Sequence, residues 1–216
     1  MKKLVYLIVF FMLFSCDRLM PKKGFDEKNL IKAEDMGEYH KLSEDNIKIY
    51  LPEGFKELTE EEIRAFHKQI KDEKERYYFE KTYESQRFIK GNFYDYYSEE
   101  YASEVIIRTL PYMPFDKSSA RYLLYYLRKD HEKFQKVTGI YHNKIKATYS
   151  GEASLQYFKA KYRLTRFSKY EEGGEDDNYE MFKTVYLISS RNKTFIFNIL
   201  TPFEVDFDPF ISKIKL

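Results

Sequence analysis

The chain has 216 residues, and its 37 Lys and Arg against 35 Asp and Glu give a formal net charge of +2. Charged residues make up 33% and hydrophobic residues 43%, which is typical of a globular protein and excludes a disordered or multi-spanning chain. The single cysteine excludes a disulfide framework and any zinc or iron–sulfur site built from cysteines. Aromatic residues reach 19%, so a chain of this length can bury a substantial core.

The first sixteen residues predict export and lipidation. Lys2 and Lys3 precede an apolar run over residues 4–14, which is shorter than the ~20 residues of a membrane-spanning helix. A basic start, a short apolar stretch and a small residue at its end are typical of a secretory signal peptide, here residues 1–15. Residues 13–16 read Leu-Phe-Ser-Cys and resemble the lipobox of bacterial lipoproteins, which implies lipid attachment at Cys16. The alternative is an uncleaved hydrophobic helix that ends in a buried thiol.

The predicted anchor places the protein in the bacterial cell envelope, with the choice between inner and outer membrane open. Acyl chains on Cys16 would hold the protein at the bilayer. Residues 16–45 are polar, lack a sustained periodicity, and predict a tether between the lipid and a single domain at residues 46–216. Cleavage before Cys16 leaves equal numbers of basic and acidic residues. Nucleic acid is therefore not an expected partner, since its binding requires a basic face.

The first half of the domain alternates between strand and helix patterns. Apolar and polar residues alternate over residues 47–51, which predicts a strand. Thr59 and Glu62 have the spacing of a capping box and predict the start of a helix. The apolar residues that share one face of that helix, and that we expect to contact the core, are Ile63, Phe66, Ile70 and Tyr77.

A second strand and a second helix follow. Residues 103–110 predict the strand, and Asp116 is placed to cap a helix that runs to about residue 134. His131 lies in the apolar stripe of this helix.

The last third of the chain predicts successive strands on short turns. The segments are residues 144–150, 154–167, 179–189 and 194–201, with an acidic hairpin tip at 169–178 and a tight turn at 191–193. Residues 208–214 predict a short closing helix. Strands in this order form an antiparallel sheet that helices must cover, so the fold class is α+β.

Two short motifs resemble the α/β/α sandwich of PsbP and Mog1-like proteins. Residues 47–55 (Ile-Lys-Ile-Tyr-Leu-Pro-Glu-Gly-Phe) are similar to the opening strand and turn of that family. Residues 207–214 (Phe-Asp-Pro-Phe-Ile-Ser-Lys-Ile) are similar to its closing helix. The resemblance implies a binding or assembly role and supplies no catalytic residues.

Tyrosine and phenylalanine crowd residues 77–101 without a clear period. On an exposed face, Tyr94, Tyr96 and Tyr97 could stack on a sugar ring or anchor a partner. The alternative is that these rings pack in the core, where an aromatic-rich composition would place them.

The sequence predicts no catalytic residue, metal or cofactor. It contains no Gly-x-Ser-x-Gly motif and no glycine-rich phosphate loop. His131 and Glu132 begin a zinc-protease pattern, but Gln135 stands where the second histidine is required. Acidic residues at 171–177 and the pair Asp206 and Asp208 could bind calcium, but a solvated loop explains them better, since no calcium-loop pattern is present.

These observations predict a lipid-anchored, non-catalytic binding or assembly module, with another envelope protein as a possible partner. The oligomeric state is open. The alternative function is binding of a carbohydrate or another small ligand by the aromatic segment at residues 77–101.

Overall fold

The computed structural model describes residue 31 and residues 37–86, 88–152, 155–166, 179–190 and 193–215. The predicted signal peptide, Cys16, the acidic hairpin tip and most of the predicted tether lie outside the described residues. In the part that is described, no helix is both long enough and apolar enough to cross a membrane.

The described residues form nine strands and four helices. The strands are β1 (Gly37–Leu42), β2 (Ile47–Pro52), β3 (Lys56–Glu57), β4 (Phe93–Ser98), β5 (Ser103–Pro111), β6 (Ile140–Glu152), β7 (Leu155–Arg166), β8 (Tyr179–Ser190) and β9 (Lys193–Thr201). The helices are α1 (Glu60–Lys68), α2 (Glu73–Gln86), α3 (Lys117–Thr138) and α4 (Asp208–Ile211).

Seven strands form one antiparallel sheet in the order β3-β4-β5-β9-β8-β7-β6. Helices α2 and α3 bury one face of this sheet in a helix-side core that includes Phe79, Leu127 and Phe134. The β1–β2 hairpin and α4 bury the other face in a hairpin-side core that includes Ile49 and Phe210. The predicted α+β class, with an antiparallel sheet covered by helices, is confirmed.

The predicted N-terminal caps of α1 and α3 are confirmed by their hydrogen bonds. The Thr59 N–H donates to Glu62 Oε2 at 2.7 Å, and the Glu62 N–H donates to Thr59 Oγ1 at 3.3 Å. Asp116 Oδ1 accepts from the Ser119 N–H at 2.7 Å, and α3 ends at Gly139, whose φ of 73° is accessible to glycine.

The expected core contact of Tyr77 is wrong, because its side chain is 61% exposed. The helix that begins after Thr59 ends at Lys68, and a new helix begins at Glu73. Asp72 Oδ1 accepts from the Glu75 N–H at 2.8 Å, so Asp72 caps a second helix whose faces are independent of those of the first. Tyr77 therefore belongs to a different helix from Ile63 and does not share its face.

Strand β1 lies within the segment that the sequence predicts as tether. Its residues alternate poorly, and Leu42 is its only buried residue. Pairing with β2 makes it a strand, since all six of its residues are in register from Gly37 opposite Pro52 to Leu42 opposite Ile47. Gly37 fits because a Cβ there would lie 2.4 Å from the Leu51 carbonyl oxygen. The folded region thus begins before residue 46.

The Asp45 carboxylate, in the turn of the hairpin, joins the hairpin to the sheet. Its side chain is largely buried and forms an ion pair with Lys193 on β9. Asp45 Oδ2 accepts from Thr109 Oγ1 at 2.6 Å, Asn92 Nδ2 at 3.0 Å and the Tyr94 hydroxyl at 3.0 Å. Burial by itself would raise the pKa of Asp45, but the hydrogen bonds from these four residues outweigh burial and lower it.

We expect Asp45→Ala to lower the free energy of unfolding by about 3 kcal/mol, because it leaves four donors around a buried site without their acceptor. Asp45→Asn keeps the shape and one acceptor oxygen, so its loss should be smaller. Urea denaturation followed by circular dichroism measures both. The exposed Glu53→Ala is the matched control, and an equal loss in that variant would contradict a special role for Asp45.

Candidate functional site

A cleft of about 390 Å³ opens at one edge of the sheet, beside β4. The edge strand β3 has two residues and pairs with Tyr96 and Tyr97 of β4. The Leu58 N–H donates to the Asp95 carbonyl oxygen at 2.7 Å, just beyond β3. Since alternate residues of a strand present their backbone groups to the same edge, Phe93 also faces this edge, past the end of β3.

The walls of the cleft come from five parts of the chain that are distant in sequence. They are residue 44 in the hairpin turn, residues 57–63 from β3 into α1, residue 83 on α2, residues 89–95 from the loop into β4, and residue 108 on β5. The lining residues are Glu44, Glu57, Leu58, Glu60, Ile63, Tyr83, Ile89, Gly91, Asn92, Phe93, Tyr94, Asp95 and Arg108. The aromatic segment at residues 77–101 thus supplies about half of the lining.

Arg108 holds one wall of the cleft in place. Its Nη1 donates to the carbonyl oxygens of Ile89 at 3.2 Å and Gly91 at 3.0 Å, and its guanidinium lies 5.5 Å from the centre of the Phe93 ring. Burial lowers its pKa to about 10, so the group stays charged at neutral pH. A Cβ on Gly91 would lie 1.8 Å from the Thr109 carbonyl oxygen, so the loop closes tightly on β5.

Carboxylates outnumber cations four to one in the lining. Glu60 is paired with Arg64 at 2.8 Å, and Glu57 Oε2 accepts from the Tyr96 hydroxyl at 3.2 Å. Glu44 is exposed at the mouth, and Asp95 is buried on β4. When Arg64 is counted with Arg108, the four carboxylates still leave a net negative formal charge, which favours a positively charged ligand.

The structure does not bring the three predicted ligand-binding tyrosines to one exposed face. Tyr94 and Tyr96 point into the hairpin-side core and are 7% and 1% exposed. Tyr97 points to the opposite face, where its ring meets Phe66 edge-on with centroids 5.7 Å apart. Alternation along a strand forces this split, because neighbouring side chains point to opposite faces. Of the three, Tyr94 lines the cleft.

A second unusual cluster lies between α3 and the far half of the sheet. The rings of His131 on α3 and His142 on β6 are stacked, with centroids 3.8 Å apart and planes at 14°. The Tyr162 ring of β7 meets His131 edge-on at 4.6 Å. Neither ring nitrogen of His131 has a hydrogen-bond partner among the described residues. Lys183 on β8, fully buried, also acts on both histidines electrostatically.

Burial sets the protonation of this cluster. It lowers the pKa of both His131 and His142 well below the ordinary 6.5, and the charge of Lys183 lowers both further. Burial also raises the pKa of the neighbouring Asp130 to about 6, against the opposing effect of Lys133 and Lys183. The two histidines are therefore neutral at neutral pH. Their rings can stack in the core because no two positive charges are brought together there.

The remaining acidic pair considered for calcium is occupied by a lysine. Lys159 Nζ lies 2.8 Å from both Asp206 Oδ1 and Asp208 Oδ1, and the Tyr186 hydroxyl donates to Asp208 at 2.7 Å. In the described part of the chain, no group of three or more His, Cys, Asp or Glu residues has an arrangement that could hold a metal ion. The acidic residues at 171–177 lie outside the described residues.

No family model matches the sequence, and no curated protein matches it either. Among solved structures, the chain is similar to the solution structure of cyanobacterial PsbP (CyanoP) from Synechocystis sp., with a TM-score of 0.49 and 11% sequence identity. The match covers 83% of this chain and 92% of the PsbP chain.

The sequence indicates the aromatic part of the cleft lining but not its charged part. The aromatic crowding over residues 77–101 was the available signal for Tyr83, Phe93 and Tyr94. No local sequence pattern marks Glu44, Glu57 and Arg108 as residues of the cleft, because they come together only through the hairpin turn and the pairing of strands. The histidine stack had a partial signal, the position of His131 in the apolar stripe of α3.

The histidine cluster predicts a loss of stability on acidification. Below pH 6.5 the unfolded chain takes up protons on His131 and His142 that the folded chain does not, so stability is lost as the pH falls through 6.5. Asp130 opposes this below about pH 6, because its folded pKa exceeds the ordinary 3.8 and protonation relieves its burial. We expect the free energy of unfolding to drop by about 1 kcal/mol between pH 7.5 and pH 6.

Denaturation by urea at the two pH values measures this drop. His131→Phe should reduce the drop, since one of the two histidines of the cluster is removed, while His40, whose pKa is also lowered by burial, still titrates. Asp130→Asn should enlarge the drop. An unchanged drop in His131→Phe would show that other groups titrate.

Proposed function

We propose that the protein is a lipid-anchored binding module of the bacterial cell envelope, and that its ligand is a small cationic molecule held in the cleft beside β4. The observation that carries the proposal is the lining of the cleft, in which four carboxylates accompany Tyr83, Phe93 and Tyr94. Lys2, Lys3 and the lipobox-like residues 13–16 support the anchor.

The lining suits an amine with a flat or apolar body. Glu44 and Glu57 offer carboxylate oxygens at the mouth of the cleft, where a charged amine can approach from solvent. Aromatic rings attract a cation over their faces and also bury apolar surface. Arg108 lies deeper and is engaged with the loop carbonyls, so it shapes the wall while the carboxylates set the sign of the charge.

The backbone edge of β4 adds directional contacts. Phe93 lies beyond the end of β3, so its backbone N–H and C=O point toward the cleft. A ligand with its own donor or acceptor can therefore bond to the strand edge, as extended peptides do at other sheet edges.

Benzylamine is a suitable probe, because it carries one cationic amine and one aromatic ring. We expect it to bind at millimolar affinity and to shift the backbone amide NMR signals of Phe93 and Tyr94. The neutral benzyl alcohol should bind at least several-fold more weakly, since it lacks the charge. Equal binding of the two compounds, or signal shifts outside the cleft, would contradict the proposed ligand class.

The paired variant Glu44→Gln with Glu57→Gln should weaken benzylamine binding roughly tenfold, or ~1.4 kcal/mol, because it removes two negative charges from the mouth. Isothermal titration calorimetry measures the change. The charge-matched control is Glu53→Gln with Glu61→Gln, both exposed and outside the lining. If the control pair weakens binding equally, the effect belongs to net charge and not to the cleft.

The anchor has its own test. Cys16→Ser should abolish incorporation of labelled palmitate and leave the precursor uncleaved, because the acylated thiol is lost. Normal cleavage in this variant would indicate an ordinary signal peptide and overturn the lipoprotein part of the proposal.

A further inference from the structure

The outward face of α3 is strongly basic and carries two exposed tyrosines. The helix contains six Lys and Arg and two Asp and Glu, whereas the whole chain has a net charge of only +2. Tyr122 and Tyr125 are 61% and 54% exposed. At 100° per residue, Tyr125 lies at the centre of the exposed face, opposite the buried Leu123 and Leu127.

Acidic partners compensate only part of this charge. Glu132 pairs with Arg128 at 3.1 Å and with Lys129 at 2.8 Å, and the buried Asp130 pairs with Lys133 at 3.8 Å. No carboxylate among the described residues forms an ion pair with Lys117, Arg121 or Lys136. The face therefore keeps a net positive charge along its whole length.

The basic face continues onto the sheet. Lys144 on β6 pairs with Tyr162, whose side chain lies in the helix-side core, so Lys144 points to the same side of the sheet as α3. Lys144 is exposed. A helix of 22 residues is about 33 Å long, so the cations and tyrosines present an elongated surface on one side of the domain.

We propose that this face of α3 docks on an anionic phospholipid bilayer. Lys and Arg side chains pair with lipid phosphates, and amphipathic tyrosine rings lie at the depth of the headgroups. The elongated face fits a membrane surface better than a compact ligand. The contact would orient the domain with α3 on the bilayer and the hairpin away from it.

The length of chain outside the described residues allows this orientation. The proposal takes from the proposed function only the lipid at Cys16. Ile31 is buried on the hairpin side, and the fifteen residues from Cys16 to Ile31 can span at most about 50 Å. Three layers packed about 10 Å apart are roughly 30 Å across, so the chain can reach around the domain.

Vesicle co-sedimentation tests the proposal. The mature chain from residue 16 is used with Cys16→Ser, so that no lipid contributes. It should bind vesicles of 30% phosphatidylglycerol in phosphatidylcholine, release at 0.5 M salt, and ignore vesicles of phosphatidylcholine alone, because the attraction is electrostatic. Equal binding to both vesicles, or none to either, would overturn the proposal.

Charge-matched variants locate the contact. Replacing Arg121, Lys129 and Lys136 with Gln should weaken binding to the anionic vesicles on the order of tenfold. Replacing the exposed Lys41, Lys68 and Lys90 with Gln removes the same charge elsewhere and should change binding less than about twofold. Tyr125→Ser should also weaken binding without changing the charge. Equal losses in the two triple variants would overturn the assignment to α3.

Two further outcomes have definite meanings. Binding to heparin that depends on α3, with no binding to the anionic vesicles, would identify a soluble polyanion as the partner and overturn the bilayer proposal. If the unaltered chain takes up no palmitate at Cys16 but the Cys16→Ser chain still binds anionic vesicles, the anchor in the proposed function is overturned and the α3 surface is supported.

Discussion

The buried carboxylate of Asp45 is the constraint on which the hairpin side of this structure depends. Its donors come from β4, β5, β9 and the loop that precedes β4, so one side chain fixes the position of the hairpin against four neighbouring segments. Because Asn92 and Tyr94 both bond to Asp45 and both line the cleft, the same carboxylate sets the geometry of the candidate site. A charged group can be buried here because hydrogen bonds replace its hydration.

The sequence predicted those features that a local pattern determines. The caps at Thr59 and Asp116 and the strands of the last third follow from residues close together in the chain, so their signals are complete within a short window. Strand β1 exists through its pairing with β2, and the phase change at Asp72 is a single cap within an apparently continuous pattern. The cleft unites five distant segments, and no window of sequence contains that information.

Helix α3 shows how one element can carry two unlike chemical environments. Its buried side holds His131 and Asp130 at positions where burial shifts both pKa values away from their ordinary range. Its outward side carries the excess of basic residues together with two exposed tyrosines. A net charge of only +2 for the whole chain therefore conceals an uneven distribution of charge, and the distribution, rather than the total, determines which surfaces can interact.

The two edge strands of the sheet differ in length and in charge, and the difference agrees with the position of the candidate site. The long edge strand β6 carries Lys144 and Lys146, and its register shifts between them, which are features that discourage pairing with another strand. At the opposite edge, β3 ends after two residues and leaves part of β4 beside an acidic, aromatic cleft. An exposed strand edge favours aggregation unless other groups restrict access to it. The carboxylates of the cleft restrict that access by charge, because they repel an acidic strand.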